Sequence, residues 1–118
     1  MDEYKFDYSV EDDVLYIQNA VKEVEESVEF SKDIVLDLDK EGRVIGVEIF
    51  YASEFLGLFN NEINKEFLDS LKEAYIEYKD FRNIWFIILR LESKDRKISQ
   101  PLPPLQKSEY ISPLIASA

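Results

Sequence analysis

The sequence predicts an α+β fold: a small antiparallel β-meander sheet packed against one or two helices, with an extended proline-rich C-terminal arm. Three observations lead there. Apolar and polar residues alternate through much of the first fifty positions, apolar residues of helical spacing follow between Ile63 and Tyr78, and Pro101, Pro103, Pro104 and Pro113 all fall after Gln100. Alternation of period two marks strands with one buried face, and a 3.6-residue stripe marks a helix. With 118 residues, 46% of them apolar, the chain is read as one domain, 1–118, able to bury roughly two thirds of its unfolded surface. Within it, 4–56 forms the meander, 57–92 a helix plus an apolar strand, and 93–118 the arm.

Tyr4, Phe6 and Tyr8 alternate with polar residues, Ser9 to Asp13 is turn-rich, and Val14 to Gln18 resumes the apolar pattern, so a first hairpin is expected. Asn19 to Glu26 reads as a loop leading into a short strand at Val28 to Phe30. Ile34, Leu36 and Leu38 then alternate with Val35, Asp37 and Asp39 before Gly42, which tolerates a positive φ. If Glu41 and Gly42 form the turn, Leu38 meets Ile45, Leu36 meets Val47 and Ile34 meets Ile49. Asp37 then faces Gly46 and Val35 faces Glu48 on the other side.

Ala52 to Phe59 is expected to form a short helix or a single turn with Ser53 as its N-cap. A longer helix is expected from Ile63 to Lys79, because Ile63, Phe67, Leu68, Leu71, Ala74, Tyr75 and Tyr78 share one face. Asn61 or Asn64 would cap it. Ile84 to Leu91 reads as a strand that is apolar on both faces and too short to span a membrane. One helix layer covers only one side of such a strand, so the arm or a second subunit is expected to cover the other. The prolines bar the arm from being a regular helix or a central strand.

The chain contains no cysteine and no histidine. A Ser-His-Asp triad, an imidazole general base, a thiolate nucleophile and the commonest zinc ligands are therefore excluded. Net charge is −11, and it is uneven: residues 1–62 hold 17 Asp/Glu against 5 Lys/Arg, whereas residues 63–118 hold 8 against 9. Such a first half repels phosphate backbones and attracts basic proteins, so no nucleic acid and no membrane partner is expected. No basic leader precedes an apolar stretch, and a cytoplasmic protein is expected.

The runs Asp7-Tyr8-Ser9-Val10-Glu11-Asp12-Asp13-Val14-Leu15-Tyr16-Ile17 and Ile34 to Ile49, followed by Ala52-Ser53, closely resemble the domain of unknown function 2283 family over about residues 4–56. Asp37, Asp39, Gly42, Gly46 and the Glu48-Ile49 pair stand in that family's order. The resemblance implies a small β-rich module of no established activity, some of whose members look like the antitoxin partner of a basic ribonuclease-type toxin. The helix, apolar strand and proline-rich tail are additions to the usual extent of the family.

Two readings follow. The first is a small acidic, non-enzymatic protein-interaction module, a homodimer with no cofactor and no catalytic residues, binding a basic protein partner in the manner of an antitoxin. Its partner or oligomer interface would comprise Trp85, Ile87, Leu89, Leu91, Leu102, Leu105, Tyr110 and Ile111. The second is a divalent-cation-binding protein or small metal-assisted hydrolase, in which Asp37, Asp39 and Glu41 on one strand face, with Glu48 across the hairpin, hold Mg²⁺ or Ca²⁺. Against it, the loop lacks the ligand ladder of a calcium-binding loop, and carboxylates on a solvated strand face are ordinary protection against edge pairing. Asp7, Glu11, Asp12 and Asp13 cluster at the first turn without a cleft around them, and turn chemistry accounts for them.

Overall fold

Two antiparallel sheets follow one another along the chain in the computed structural model, which describes residues 3–107. The first contains β1 (Tyr4–Ser9), β2 (Val14–Asn19), β3 (Glu26–Glu29), β4 (Ile34–Leu38) and β5 (Val44–Phe50), in the spatial order β1-β2-β5-β4-β3. A hairpin, β1–β2, thus lies beside a three-stranded meander, β3–β4–β5. Two short helices follow, α1 (Ala52–Gly57) and α2 (Lys65–Asp69). The second sheet is built from β6 (Glu73–Phe81), β7 (Ile84–Glu92) and β8 (Lys97–Pro101), with the two-residue β9 (Leu105–Gln106) also paired to β7.

Alternation sets the faces of the first sheet. Leu15 and Ile17 on β2 lie opposite Ile49 and Val47 on β5, which in turn lie opposite Ile34 and Leu36 on β4. All six are buried. Each contributes about 1.5–3 kcal/mol on leaving water, so a one-residue slip, which would turn them outward, is strongly disfavoured. The register of the second hairpin matches expectation at Ile34–Ile49, Val35–Glu48, Leu36–Val47 and Asp37–Gly46. It departs at Leu38, which pairs with Val44 instead of Ile45. The turn is longer than two residues: Asp39 N donates to Arg43 O, Gly42 N donates to Asp39 O, and Gly42 has φ 77°. A shift between Asp37 and Leu38 absorbs the extra residue.

The helix expected from Ile63 to Lys79 is confined to Lys65–Asp69, and Glu73–Phe81 is a strand. The sequence there satisfies both periods. Ala74, Ile76 and Tyr78 alternate with exposed Glu73, Tyr75 and Glu77, and pairing along all nine residues with β7 decides for the strand. Asn64 caps α2 as expected, accepting from Phe67 N at 2.8 Å.

β7 buries Trp85, Ile87, Leu89 and Leu91 on one face and leaves Ile84, Phe86, Ile88 and Arg90 partly or largely accessible on the other. Among the described residues, the proline-rich segment does not cover that second face. It lies alongside β7, as β8 and then β9, with Leu102 N donating to Ile87 O between them. Pro101 ends an edge strand, where a missing N–H is tolerated. β6 lies against β1 and β2, and one cluster of buried side chains runs through both sheets and both helices. Phe30 meets Trp85 edge-on at 6.4 Å between ring centroids, and Tyr4 meets Tyr75 at 6.2 Å. Among the described residues no helix is long and apolar enough to cross a membrane.

Candidate functional site

The first sheet and its turns bury three carboxylates, Asp13, Asp37 and Asp39, that sequence reasoning assigns to solvated turn and strand positions. Asp13 ends the turn between β1 and β2 with φ 54°, in the left-handed region that Asp tolerates better than most residues. Its Oδ1 accepts from Tyr8 Oη at 2.6 Å and from Ser53 N at 3.0 Å, and its Oδ2 accepts from Ser53 Oγ at 2.7 Å. Its carbonyl accepts from Ala52 N at 2.8 Å. Asp13 therefore supplies from forty residues away the first-turn cap that α1 lacks locally. Ser53, expected to be that cap, lies within the helix and serves as donor; the N-cap position is Tyr51, at φ 52° and with no side-chain bond to the helix.

Asp37 repeats the arrangement on the outer face of the sheet. Tyr16 Oη donates to Oδ2 at 2.6 Å and Ser27 Oγ donates to Oδ1 at 2.7 Å. The carboxylate has room because Gly46 lies opposite it; a Cβ there would come within 2.9 Å of Asp37 Oδ2. Asp39 organises the β4–β5 turn. Its Oδ1 accepts from the backbone of Glu41 and of Arg43, each at 2.9 Å, and its Oδ2 accepts from Arg43 Nε at 3.1 Å.

Burial opposes ionisation of Asp13, but the bonds from Tyr8 and Ser53 outweigh it and hold the carboxyl below the usual aspartate range. Asp39 follows the same logic, with desolvation opposed by two backbone N–H groups and the Arg43 guanidinium. Tyr8 and Tyr16 are pushed well above the ordinary phenol range, first by burial and then by donating to Asp13 and Asp37. In the Tyr8–Asp13 pair, phenol and carboxylate thus each stabilise the protonation state that keeps their bond.

The expected cation-binding set does not converge. Asp37 lies on β4, whereas Asp39 and Glu41 belong to the turn after it, and Glu41 pairs with Arg43 Nη2. A cavity of about 280 Å³ beside this turn is lined by Asp39 and Glu41 but also by Lys22, Lys40 and Arg43. Among the described residues no group of three or more Asp or Glu is placed to hold a metal ion. Any cation would compete with the donors already on Asp37 and Asp39.

Of the residues expected at an interface, Trp85, Ile87, Leu89, Leu91, Leu102 and Leu105 lie in the buried core. Tyr110 and Ile111 lie outside the described residues. The accessible counterpart is the opposite face of the second sheet, where Phe81, paired with Ile84, is 57% exposed and Phe86 is 40% exposed.

Sequence reasoning misses Tyr8, Tyr16, Ser27 and Ser53 as partners of these aspartates. A signal exists: with Asp37 opposite Gly46 in the register, an aspartate faces a residue without a side chain, so its carboxylate has space to lie flat and take donors from neighbouring strands.

No curated protein and no solved structure matches the chain. The model of the family described as Protein of unknown function (DUF2283) matches residues 5–53, from β1 to the serine that bonds Asp13, and so contains both aspartate-centred clusters and the Asp39 turn.

Proposed function

We propose that this protein is a non-enzymatic interaction module whose acidic first half receives a basic protein partner. The observation that carries this is how the carboxylates are divided. Asp13, Asp37 and Asp39 are occupied by internal donors, while Glu3, Asp7, Glu11, Asp12, Glu23, Glu25, Glu26 and Glu29 are exposed around the first sheet. Acids that serve the fold and acids that face the solvent are separate sets, and the second set creates a field that steers cations inward and phosphate backbones away. An antitoxin-like pairing with a basic ribonuclease-type protein is one form of this reading, and it is the form the family resemblance suggests. Titration with oligolysine tests it: affinity should fall roughly tenfold between about 0.01 and 0.15 M salt, with no binding of an oligoglutamine of equal length. Equal binding of both oligomers, or affinity indifferent to salt, refutes it.

A homodimer is the second proposal, and it concerns the other sheet. Residues 63–118 carry 8 acids and 9 bases, so the accessible face around Phe81, Ile84, Phe86 and Ile88 is where two copies of an otherwise strongly anionic chain can meet with least repulsion. Sedimentation of the protein and of Phe86→Glu tests this: a dimer that the substitution dissociates supports it, and a monomer at all concentrations refutes it.

A further inference from the structure

We infer that the free edge of β6 is a docking site for an extended peptide of alternating apolar and basic residues, added as a further strand to the second sheet. The inference rests on the proposal of a basic partner and names the place and the pattern.

β6 is paired on one side only, to β7, among the described residues. Its other side opens into a groove of about 750 Å³, within the usual range of ligand sites. The way the two strands line this groove is informative. Lys72 and the start of β6 supply an unbroken run, Lys72 to Glu77, so that side chains of both faces border the space and the main-chain edge lies between them. From β1 come only Tyr4 and Phe6, which alternate on its inward face. The groove is thus bounded by a strand edge on one side and by two aromatic rings on the other. That is the layout of a site where main-chain bonds supply affinity and pockets for every second side chain supply selectivity.

The pattern of the guest follows from the pattern of β6. A strand added to its edge points successive side chains to the two faces of the sheet in step with β6 itself. Buried Ala74 and Ile76 lie on the inner face, and Tyr4 and Phe6 border the groove from β1, with Tyr4 also meeting Tyr75 of the outer face at 6.2 Å, so the guest's inward residues must be apolar. Glu73 and Glu77 are on the outer face, and Glu92 and Glu3 also line the groove, against the single base Lys72. Glu73 sits directly opposite Glu92 in the ladder. Like charges so placed repel, and a lysine or arginine arriving beside them relieves that repulsion. Glu77 is already paired with Arg90 at 2.8 Å and Glu92 with Lys97 at 3.5 Å, which makes Glu73 the carboxylate with most to gain. The C-terminal residues 108–118 carry Glu109 and no base, so the chain's own tail lacks the charge this groove selects.

The test uses the full chain and three peptides: alternating valine and lysine; the same composition as a valine block followed by a lysine block; and the alternating peptide N-methylated at every second amide. The alternating peptide should bind at least roughly tenfold tighter than either control. Glu73→Lys should weaken it by a similar factor, whereas Glu66→Lys, an equal charge change at an exposed site on α2, should leave it within about twofold. If block or methylated peptides bind as tightly as the alternating one, strand addition at β6 is wrong while the basic-partner proposal stands. If no basic peptide or oligolysine binds, both fall. A tenfold or larger gain in affinity on deleting residues 108–118 would identify the tail as the occupant and overturn the assignment.

Discussion

Substituting Gly46 by alanine addresses the most constrained contact in the first sheet. The new Cβ would lie 2.9 Å from Asp37 Oδ2, 3.2 Å from Asp37 Cβ and 3.3 Å from Ile17 O. The last is backbone in the middle of β2 and cannot yield without disturbing the β2–β5 ladder. The carboxylate cannot swing away freely either, because Tyr16 holds it at 2.6 Å and Ser27 at 2.7 Å. Losing one bond to a charged acceptor costs about 1.5–3 kcal/mol and mild overpacking about 1 kcal/mol, which together give a destabilisation of about 2–4 kcal/mol. For a chain of this size that corresponds to a fall in Tm of roughly 10 °C. Urea unfolding of the wild type, Gly46→Ala, Asp37→Ala and the double variant measures both the cost and its origin. In the Asp37→Ala background, where the carboxylate is gone, the cost of Gly46→Ala should drop by at least about half. A cost below about 0.5 kcal/mol, or one unchanged without the carboxylate, refutes the account of why this position lacks a side chain.

Two further outcomes follow from the other carboxylates. Asp13→Asn keeps a residue that tolerates the left-handed backbone but weakens the bonds from Tyr8 and Ser53, and should cost about 1–3 kcal/mol at neutral pH. Because the Asp13 carboxyl titrates below its unfolded value, its contribution is fully present above about pH 4 and is lost as pH falls through the folded value; urea midpoints of wild type and variant should therefore converge between pH 7 and pH 3. A gap that stays constant across that range contradicts the assignment. Gly42→Ala should cost about 1–2 kcal/mol from backbone strain alone, since nothing lies near its Cβ position, and Gly42→Asn should cost less; thermal melts that rank the asparagine variant below the alanine one would argue against a strain origin.

Most of the first sheet is legible in the sequence because one period explains each segment; the exception is β3, expected at Val28 to Phe30 and found at Glu26–Glu29, where helical spacing of Val21 and Val24 blurs the start. In Ile34–Leu38 and Val44–Phe50 no helical pattern competes, and hydrophobic matching alone selects four of the five observed pairs. Glu73–Phe81 misleads because Ala74 and Tyr78 satisfy helical spacing as well as alternation. The turn that would expose the hairpin, Arg82-Asn83, contains no glycine and places Arg82 at φ 54°, a conformation that arginine seldom announces. The extra residue near Leu38 is hidden for a different reason. Val44 and Ile45 are both apolar and both buried, so hydrophobicity does not distinguish which of them faces Leu38. At the candidate site the aspartates stand out in sequence, but their tyrosine and serine donors come from positions 5, 10, 21 and 40 residues away. Only the assembled sheet brings such positions together.

The bond between Asp13 and Ser53 ties the first turn of the chain to the start of α1, and Ser53 is also the last residue of the family match. The first sheet is thereby buckled shut just beyond its last strand, and whatever is appended leaves in a direction set by that buckle. Cutting or grafting the chain after Ser53 keeps the fastening whole, whereas a junction placed before Ala52 releases it together with the start of the helix. Because one buried core runs through both sheets, anything grafted there in place of the second sheet must bring an apolar face of its own to cover the first.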